Sequence, residues 1–192
     1  MIDKAFIDSH IDKLTDCVNK ASKEIINVYE GDDFGHIEKS DGSPLTIADK
    51  NANQVILDDL KSISSDISII SEETFENNQL KNLDKTYWLV DPLDGTKEFI
   101  NKTDEFTVNI ALIDNKQAIF GIVAAPVTGK VWYGSVFDKN ITEEGSVDKI
   151  RIVMSKSHKS ENDKAFLEFI DSKNINYEII EKGSSLKLCS LA

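Results

Sequence analysis

The stretch Trp88-Leu89-Val90-Asp91-Pro92-Leu93-Asp94-Gly95-Thr96 carries the residues best suited to chemistry. An apolar run ends in Asp91, and a second carboxylate, Asp94, follows three residues on. Pro92 holds Asp91 extended and fixes the next backbone angle. A turn here is expected to bring the two carboxylates together. Gly95 permits close backbone approach to a ligand. Thr96 is placed to start a helix whose first N–H groups face an anion. Upstream, a second short apolar run ends in Ser71-Glu72-Glu73. Two carboxylates about 4 Å apart repel by roughly 4 kcal/mol at an effective dielectric near 20, and a third makes this worse. Protons or cations must compensate. With all-oxygen donors and no nearby Cys or His, the ion should be hard, magnesium or manganese. Two such ions can polarise a phosphate, acidify a bound water and stabilise a leaving oxygen. The plain alternative is an acidic turn, because Asp, Pro and Gly are turn residues in any case. The context of strand, DPLDGT and helix, with a second acidic strand end upstream, favours a site.

The elements that must position these groups are readable in outline. Ile7, Ile11, Leu14, Val18, Ala21, Ile25 and Val28 recur at spacings of four and three, one face of a long helix ending near Gly31. A coiled-coil dimer would use the same spacing, but packing on the chain's own sheet is the expected arrangement. A turn of Lys39-Ser40-Asp41-Gly42-Ser43-Pro44 leads to a second helix from Thr46, with Ala48, Ala52, Val55, Ile56 and Leu60 buried. Ile67 to Ile70 and Tyr87 to Val90 read as buried strands, so both acidic clusters sit at strand ends, a rigid edge on which to build a site. From Phe106 to Phe137 the pattern is antiparallel, with turns at Asp114-Asn115 and Thr128-Gly129. Residues 138–149 read as a linker. A strand (Ile150 to Met154), a helix (about Asn162 to Ser172) and a strand (Tyr177 to Ile180) then begin a second unit. The expected fold is α+β, a layered α/β sandwich. It divides into an N-terminal metal-binding domain over residues 1–143 and a partial C-terminal α/β substrate domain over 144–192.

Bulk properties narrow the function. The chain of 192 residues is long enough for a core without disulfide staples. Its two cysteines, Cys17 and Cys189, have no metal-type spacing and read as buried or idle thiols in a reducing compartment. The N-terminal residues are neither a signal peptide nor a membrane span. The default location is the cytoplasm, with peripheral placement at the inner membrane as the alternative. A net charge of −12 argues against binding a nucleic-acid polymer. It leaves room for a small anionic substrate if cations stand between protein and phosphate.

Four segments resemble the lithium-sensitive inositol monophosphatase-like phosphatases. KSDGSPLTIAD (Lys39 to Asp49) is similar to that family's N-terminal loop and helix, and IISEET (Ile69 to Thr74) to its metal-ligand glutamate segment. WLVDPLDGTKEFI (Trp88 to Ile100) is similar to its central signature, and GSSLKLCSLA (Gly183 to Ala192) to the start of its substrate segment. Lys97-Glu98-Phe99-Ile100 after DGT, and then EFTVNIALI, resemble the CysQ branch, the 3'(2'),5'-bisphosphate nucleotidases.

The resemblance implies hydrolysis of the 3'-phosphate of 3'-phosphoadenosine 5'-phosphate to AMP and phosphate, clearing a by-product of sulfate assimilation. It implies two magnesium ions, or three. Glu72, Asp91, Asp94 and the Leu93 carbonyl would be the ligands, and Glu72 would also count among the catalytic groups. Asp49 and Thr96 would orient and deprotonate the attacking water. Backbone N–H groups of Gly95 and Thr96 would grip the scissile phosphate. His158, Ser184 and Lys187 would contact the rest of the nucleotide. Duller readings stay open beside these. Asp49 stands where a capping box with Thr46 would put it. Periodicity leaves the choice between Glu72 and Glu73 undecided, and Glu72 follows from the match. His158 alone reads as a solvated surface histidine, Lys187 as a snorkelling side chain, and Lys97 and Glu98 as decoration of a first helical turn.

The resemblance also implies a later aspartate, in a tryptophan-aspartate motif some tens of residues past Ala192, as a ligand of the second metal. The chain therefore reads as C-terminally truncated, with weak or no activity expected of these residues alone. An unfinished sheet would favour aggregation or pairing with a partner, including a homo-oligomer. The competing functions are an inositol or sugar monophosphatase and, from another class, a non-catalytic fragment that binds metal or nucleotide.

Overall fold

The computed structural model describes residues 2–31, 35, 37–38, 44–75, 84–138, 149–156 and 160–191. Helix α1 (Lys4–Tyr29) starts where the Asp3 carboxylate accepts the Phe6 N–H at 3.0 Å, an N-cap that satisfies one of the orphan donors of the first turn. Its stripe of Leu14, Val18, Ala21 and Ile25 is fully buried against the chain's own elements, so the coiled-coil alternative does not apply to that face. Strands β1 (Ile37–Glu38) and β2 (Pro44–Leu45) form a short antiparallel pair. Helix α2 (Ile47–Ile63) follows, N-capped by Thr46, and packs against α1 with Ala48, Ala52, Ile56 and Leu60 all buried.

Strand β3 (Ser68–Ser71) runs into a single 3-10 turn, Glu72–Thr74. Strand β4 (Thr86–Asp94) lies parallel to β3, with Ser71 opposite Val90. Helix α3 (Thr96–Ile100) is one short turn and a half from β4 to β5 (Thr107–Asp114). Strands β6 (Gln117–Ala125) and β7 (Lys130–Ser135) complete a five-stranded sheet in the order β3-β4-β5-β6-β7, antiparallel from β4 onward. Trp88, Val90, Val108, Ile110, Leu112, Phe120 and Ile122 join α1 and α2 in one core. Each large side chain buried there stabilises the fold by roughly 1.5–3 kcal/mol. The Trp88 indole N–H, deep in that core, donates to Ser64 Oγ at 3.0 Å and so is not left unsatisfied.

Beyond the sheet, β8 (Ile150–Ser155), α4 (Glu161–Ser172) and β9 (Tyr177–Lys182) form a parallel βαβ unit, followed by the single turn α5 (Leu186–Cys189). Ser160 caps α4, accepting the Asp163 N–H at 3.2 Å, so the helix begins a residue earlier than its apolar pattern suggests.

Two local expectations change. DPLD is not a turn: β4 runs through Asp94, and the ladder with β5 skips between Asp91 and Asp94, a bulge. Proline is accommodated there because a bulge leaves ladder positions unpaired. The β5–β6 turn is Asn115-Lys116 rather than Asp114-Asn115. Both residues have positive φ (49° and 67°), and Asp114 pairs with Gln117, which makes a two-residue hairpin loop of the primed type. The motif Lys39 to Ser43, the proposed domain boundary at 143/144 and His158 lie outside the described residues.

Candidate active site

The parallel pairing of β3 and β4 brings their C-terminal ends side by side, which places Glu72 next to Asp91. The bulge lies between Asp91 and Asp94, and the ladder resumes at Asp94, opposite Thr107. Asp91 is largely withdrawn from water, and its carboxyl is pushed up to about 7. Burial is the largest cause; the charges of Glu72 and Asp94 add to it, the Leu93 N–H opposes it, and Asp49 adds a smaller repulsion. Three carboxylates, each from a different element, therefore act on Asp91 electrostatically.

Their side chains do not converge in one pocket. A cavity of about 470 Å³ is bordered by Glu72, Asp94, Gly95, Thr96, Ser184, Ser185 and Lys187. A second, apolar cavity of about 570 Å³ is bordered by Glu72, Asp91, Asn109 and Leu89, on the sheet face opposite the helices. Glu72 borders both, so the three expected metal ligands stand along a common rim. Among the described residues, no three Asp, Glu, His or Cys side chains form a closed metal-holding group. Two of the carboxylates are engaged within the protein. Asp94 Oδ2 accepts both the Ser185 N–H at 2.6 Å and its hydroxyl at 2.7 Å. Asp91 Oδ1 accepts the Leu93 N–H at 3.2 Å. The donor set nevertheless fits a hard divalent cation: it is all oxygen, and burial together with the charges of Glu72 and Asp94 pushes the Asp91 carboxyl up to about 7.

Asp49 occupies the capping position and also reaches Thr96. It is 1% exposed, and its Oδ2 caps α2 by accepting the Thr46 N–H at 2.7 Å and the Thr46 hydroxyl at 2.5 Å. Its Oδ1 lies 3.3 Å from the Thr96 hydroxyl. That hydroxyl has a second acceptor, the Leu93 carbonyl, at 3.2 Å. Asp49, Thr96 and Leu93 thus form one hydrogen-bonded corner, of which Thr96 borders the cavity. Buried Asn53 of the same helix accepts the Ser71 hydroxyl at 2.6 Å and ties α2 to the residue before Glu72.

Gly95 has φ of 94°, and a Cβ there would lie 3.0 Å from the Glu105 carbonyl and 3.1 Å from Ser184 Cβ. Its smallness serves close approach within the protein at least as much as approach to a ligand. Ser184, also at positive φ, is buried at the cavity wall, and Lys187 donates to the Ser184 carbonyl at 2.6 Å rather than snorkelling into solvent. Ser185 went unnoticed in the sequence; its partner is 91 residues away, and no periodicity signals such a contact. Cys17 is buried with its thiol pushed up to about 12 by burial, hence inert, while Cys189 is partly exposed. No helix among the described residues is long and apolar enough to cross a membrane.

Residues 9–192 match the model of the inositol monophosphatase family. The 3'(2'),5'-bisphosphate nucleotidase CysQ of Shigella flexneri is 38% identical, over 95% of this chain and 76% of the relative. Among solved structures, CysQ from Bacteroides thetaiotaomicron superposes with a TM-score of 0.77 at 31% identity, covering 95% of this chain and 76% of that one. An IMPase from Thermotoga maritima superposes with a TM-score of 0.71 at 20% identity, over 93% of this chain and 70% of that one, a likeness of fold.

Proposed function

Since the chain belongs to the inositol monophosphatase family, we propose that it is a phosphatase of the 3'(2'),5'-bisphosphate nucleotidase kind, removing the 3'-phosphate of 3'-phosphoadenosine 5'-phosphate with magnesium. The carrying observation is the repulsion that Glu72, Asp94 and Asp49 exert on Asp91 beside a cavity of about 470 Å³. Such an arrangement is unfavourable in a purely structural role and becomes favourable once cations enter.

The residues that would hold magnesium are Glu72, Asp91, Asp94 and the Leu93 carbonyl. Bound there, the metal would supply Lewis-acid polarisation of the phosphate and an acidified water. The chain's own residues do the rest. Thr96, with its hydroxyl proton directed to Asp49 or Leu93, offers its oxygen lone pair to hold an attacking water in line. Asp49, buried and fixed by Thr46, takes up the proton that Thr96 relays. Backbone N–H groups of Gly95 and Thr96 at the cavity floor receive the phosphate oxygens. Ser184 and Lys187 border the space for the remainder of the nucleotide. Water oxygen bonds to phosphorus as its proton passes to Asp49, the bond from phosphorus to the 3'-oxygen breaks, that oxygen takes a proton from solvent to become the 3'-hydroxyl, and AMP and phosphate leave. The number of ions bound, two or three, belongs to this proposal, as does a location in the cytoplasm.

The test is phosphate release in magnesium from 3'-phosphoadenosine 5'-phosphate against inositol 1-phosphate. At whatever absolute rate, the nucleotide should be preferred at least tenfold. Equal or reversed rates would overturn the substrate assignment. Magnesium binding by calorimetry with no release from either would move the chain to the non-catalytic binders.

A further inference from the structure

Glu105 has no part in the chemistry just described, yet it joins the Asp94–Ser185 contact in holding the second unit. Its side chain is only 14% exposed. Oε2 accepts the Gly183 N–H at 3.0 Å and lies 3.4 Å from Lys156 Nζ, while Oε1 lies 3.7 Å from Lys182 Nζ. All three partners belong to the second unit: Lys156 directly follows β8, Lys182 ends β9, and Gly183 follows it. Two glycines are fitted to the same residue. A Cβ on Gly183 would meet Glu98 Cγ at 2.8 Å and both Cβ and the carbonyl of Glu105 at 3.1 Å. A Cβ on Gly95 would meet the Glu105 carbonyl at 3.0 Å. Glu105 is itself held from behind. Asp104, at φ of 65°, accepts the Tyr29 hydroxyl at 2.6 Å, and Lys102, at φ of 54°, sets its ammonium 4.2 Å from the centre of the Tyr29 ring. A loop with two residues in the left-handed region is kept in shape by α1.

We propose that Glu105 is a positioning residue: it docks Gly183–Ser185 onto the floor formed by Asp94 and Gly95, and thereby sets the height of the cavity wall that meets the substrate. The carboxylate suits this work because it accepts from one backbone N–H and neutralises part of a two-lysine pair at once. The consequence for nucleotide affinity rests on the reading of the cavity given above; the docking itself does not.

Hydrogen exchange on the whole chain separates the two. In Glu105→Ala the amides of 183–189 should exchange at least tenfold faster than in the wild type, while those of β5 and β6 keep their rates. Glu105→Gln retains a carbonyl oxygen for the Gly183 N–H and should fall between. Gly183→Ala leaves the carboxylate intact and displaces the backbone from it, so it should accelerate the same amides; this variant decides the matter if Glu105→Ala fails to fold. Unchanged exchange at 183–189 in Gly183→Ala and in the folded Glu105 variants would overturn the proposal. Titration with AMP then probes the cavity without turnover. Wild-type binding weakened about tenfold in Glu105→Ala, and partly restored in Glu105→Gln, supports the link to substrate. Faster exchange with AMP affinity unchanged would leave the docking role standing and sink the nucleotide reading of this wall.

Discussion

Asp91 and Asp94 are three residues apart, yet their environments differ enough to give different predictions. Asp91 has a folded-state pKa raised to about 7 from an ordinary 3.8. A carboxyl raised in this way binds its proton more tightly folded than unfolded. Its stabilising contribution is therefore complete below about pH 4 and is lost as pH rises through about 7. In EDTA, Tm should fall between pH 4 and pH 8, the Asp91 share being at most about 4 kcal/mol for three pH units. Magnesium should reverse the trend, raising Tm more at pH 8 than at pH 5, because a cation competes with the proton for the same oxygens. Thermal melts at both pH values, with and without magnesium, check this. An equal magnesium shift at both would mean that Asp91 is not a ligand. Asp94→Asn removes one of the charges that raise Asp91 while its amide oxygen can still accept from Ser185. Phosphate release should drop by at least a hundredfold, and Tm in EDTA should stay within about 2 °C of wild type or exceed it, since a single relieved repulsion is worth on the order of 1 kcal/mol. Full activity would remove Asp94 from the ligand set. At this scale the sequence was legible where chemistry is local: acidic strand ends, a threonine three residues before Asp49, a glycine after Asp94. It was silent where the partner is remote, as for Ser185 on Asp94 or Glu105 under Gly183.

Elements came through the sequence more faithfully than the joints between them. Both long helices declare themselves by a three-and-four spacing that burial then matches at Leu14, Val18, Ala21, Ile25, Ala52, Ile56 and Leu60. The alternation of Val108, Ile110 and Leu112 marks β5, all three being buried on the helix side. What failed was the assignment of DPLD to a turn, because a proline inside a strand is compatible with a bulge and residue type alone does not separate the two. The hairpin after β5 was placed one residue early for a related reason: Asn115 is a familiar left-handed residue, whereas Lys116 at φ of 67° is not. That mismatch can be used. Lys116 is exposed, and Asn-Gly is the preferred pair for a two-residue primed loop. Lys116→Gly should stabilise the protein by up to about 1 kcal/mol, the relief of left-handed strain outweighing the extra freedom glycine gives the unfolded chain. Urea melts should show a higher midpoint with an unchanged slope. A lower midpoint would mean that Lys116 makes a compensating contact or that the loop tolerates it without strain.

On the scale of the molecule the dominant fact is charge. The net charge is −12, and the carboxylates that surround Asp91 concentrate part of it at one rim. Opposing this are exposed ion pairs such as Lys4–Asp138 at 2.8 Å and Lys149–Glu178 at 2.8 Å, which water and salt screen to a small contribution. Repulsion among the unmatched acids should therefore exceed what the pairs return, and salt should discriminate between them, because screening weakens both but acts on the larger sum more strongly. Raising sodium chloride from about 10 mM to about 0.3 M, where the Debye length shrinks from about 30 Å to well under 10 Å, should raise Tm of the metal-free protein. The gain should be smaller once magnesium is present, since the cation has already neutralised the densest part of the field. A fall in Tm with salt would mean that the ion pairs outweigh the acidic rim, and with it would go the premise that Glu72, Asp91 and Asp94 are in electrostatic need of a cation.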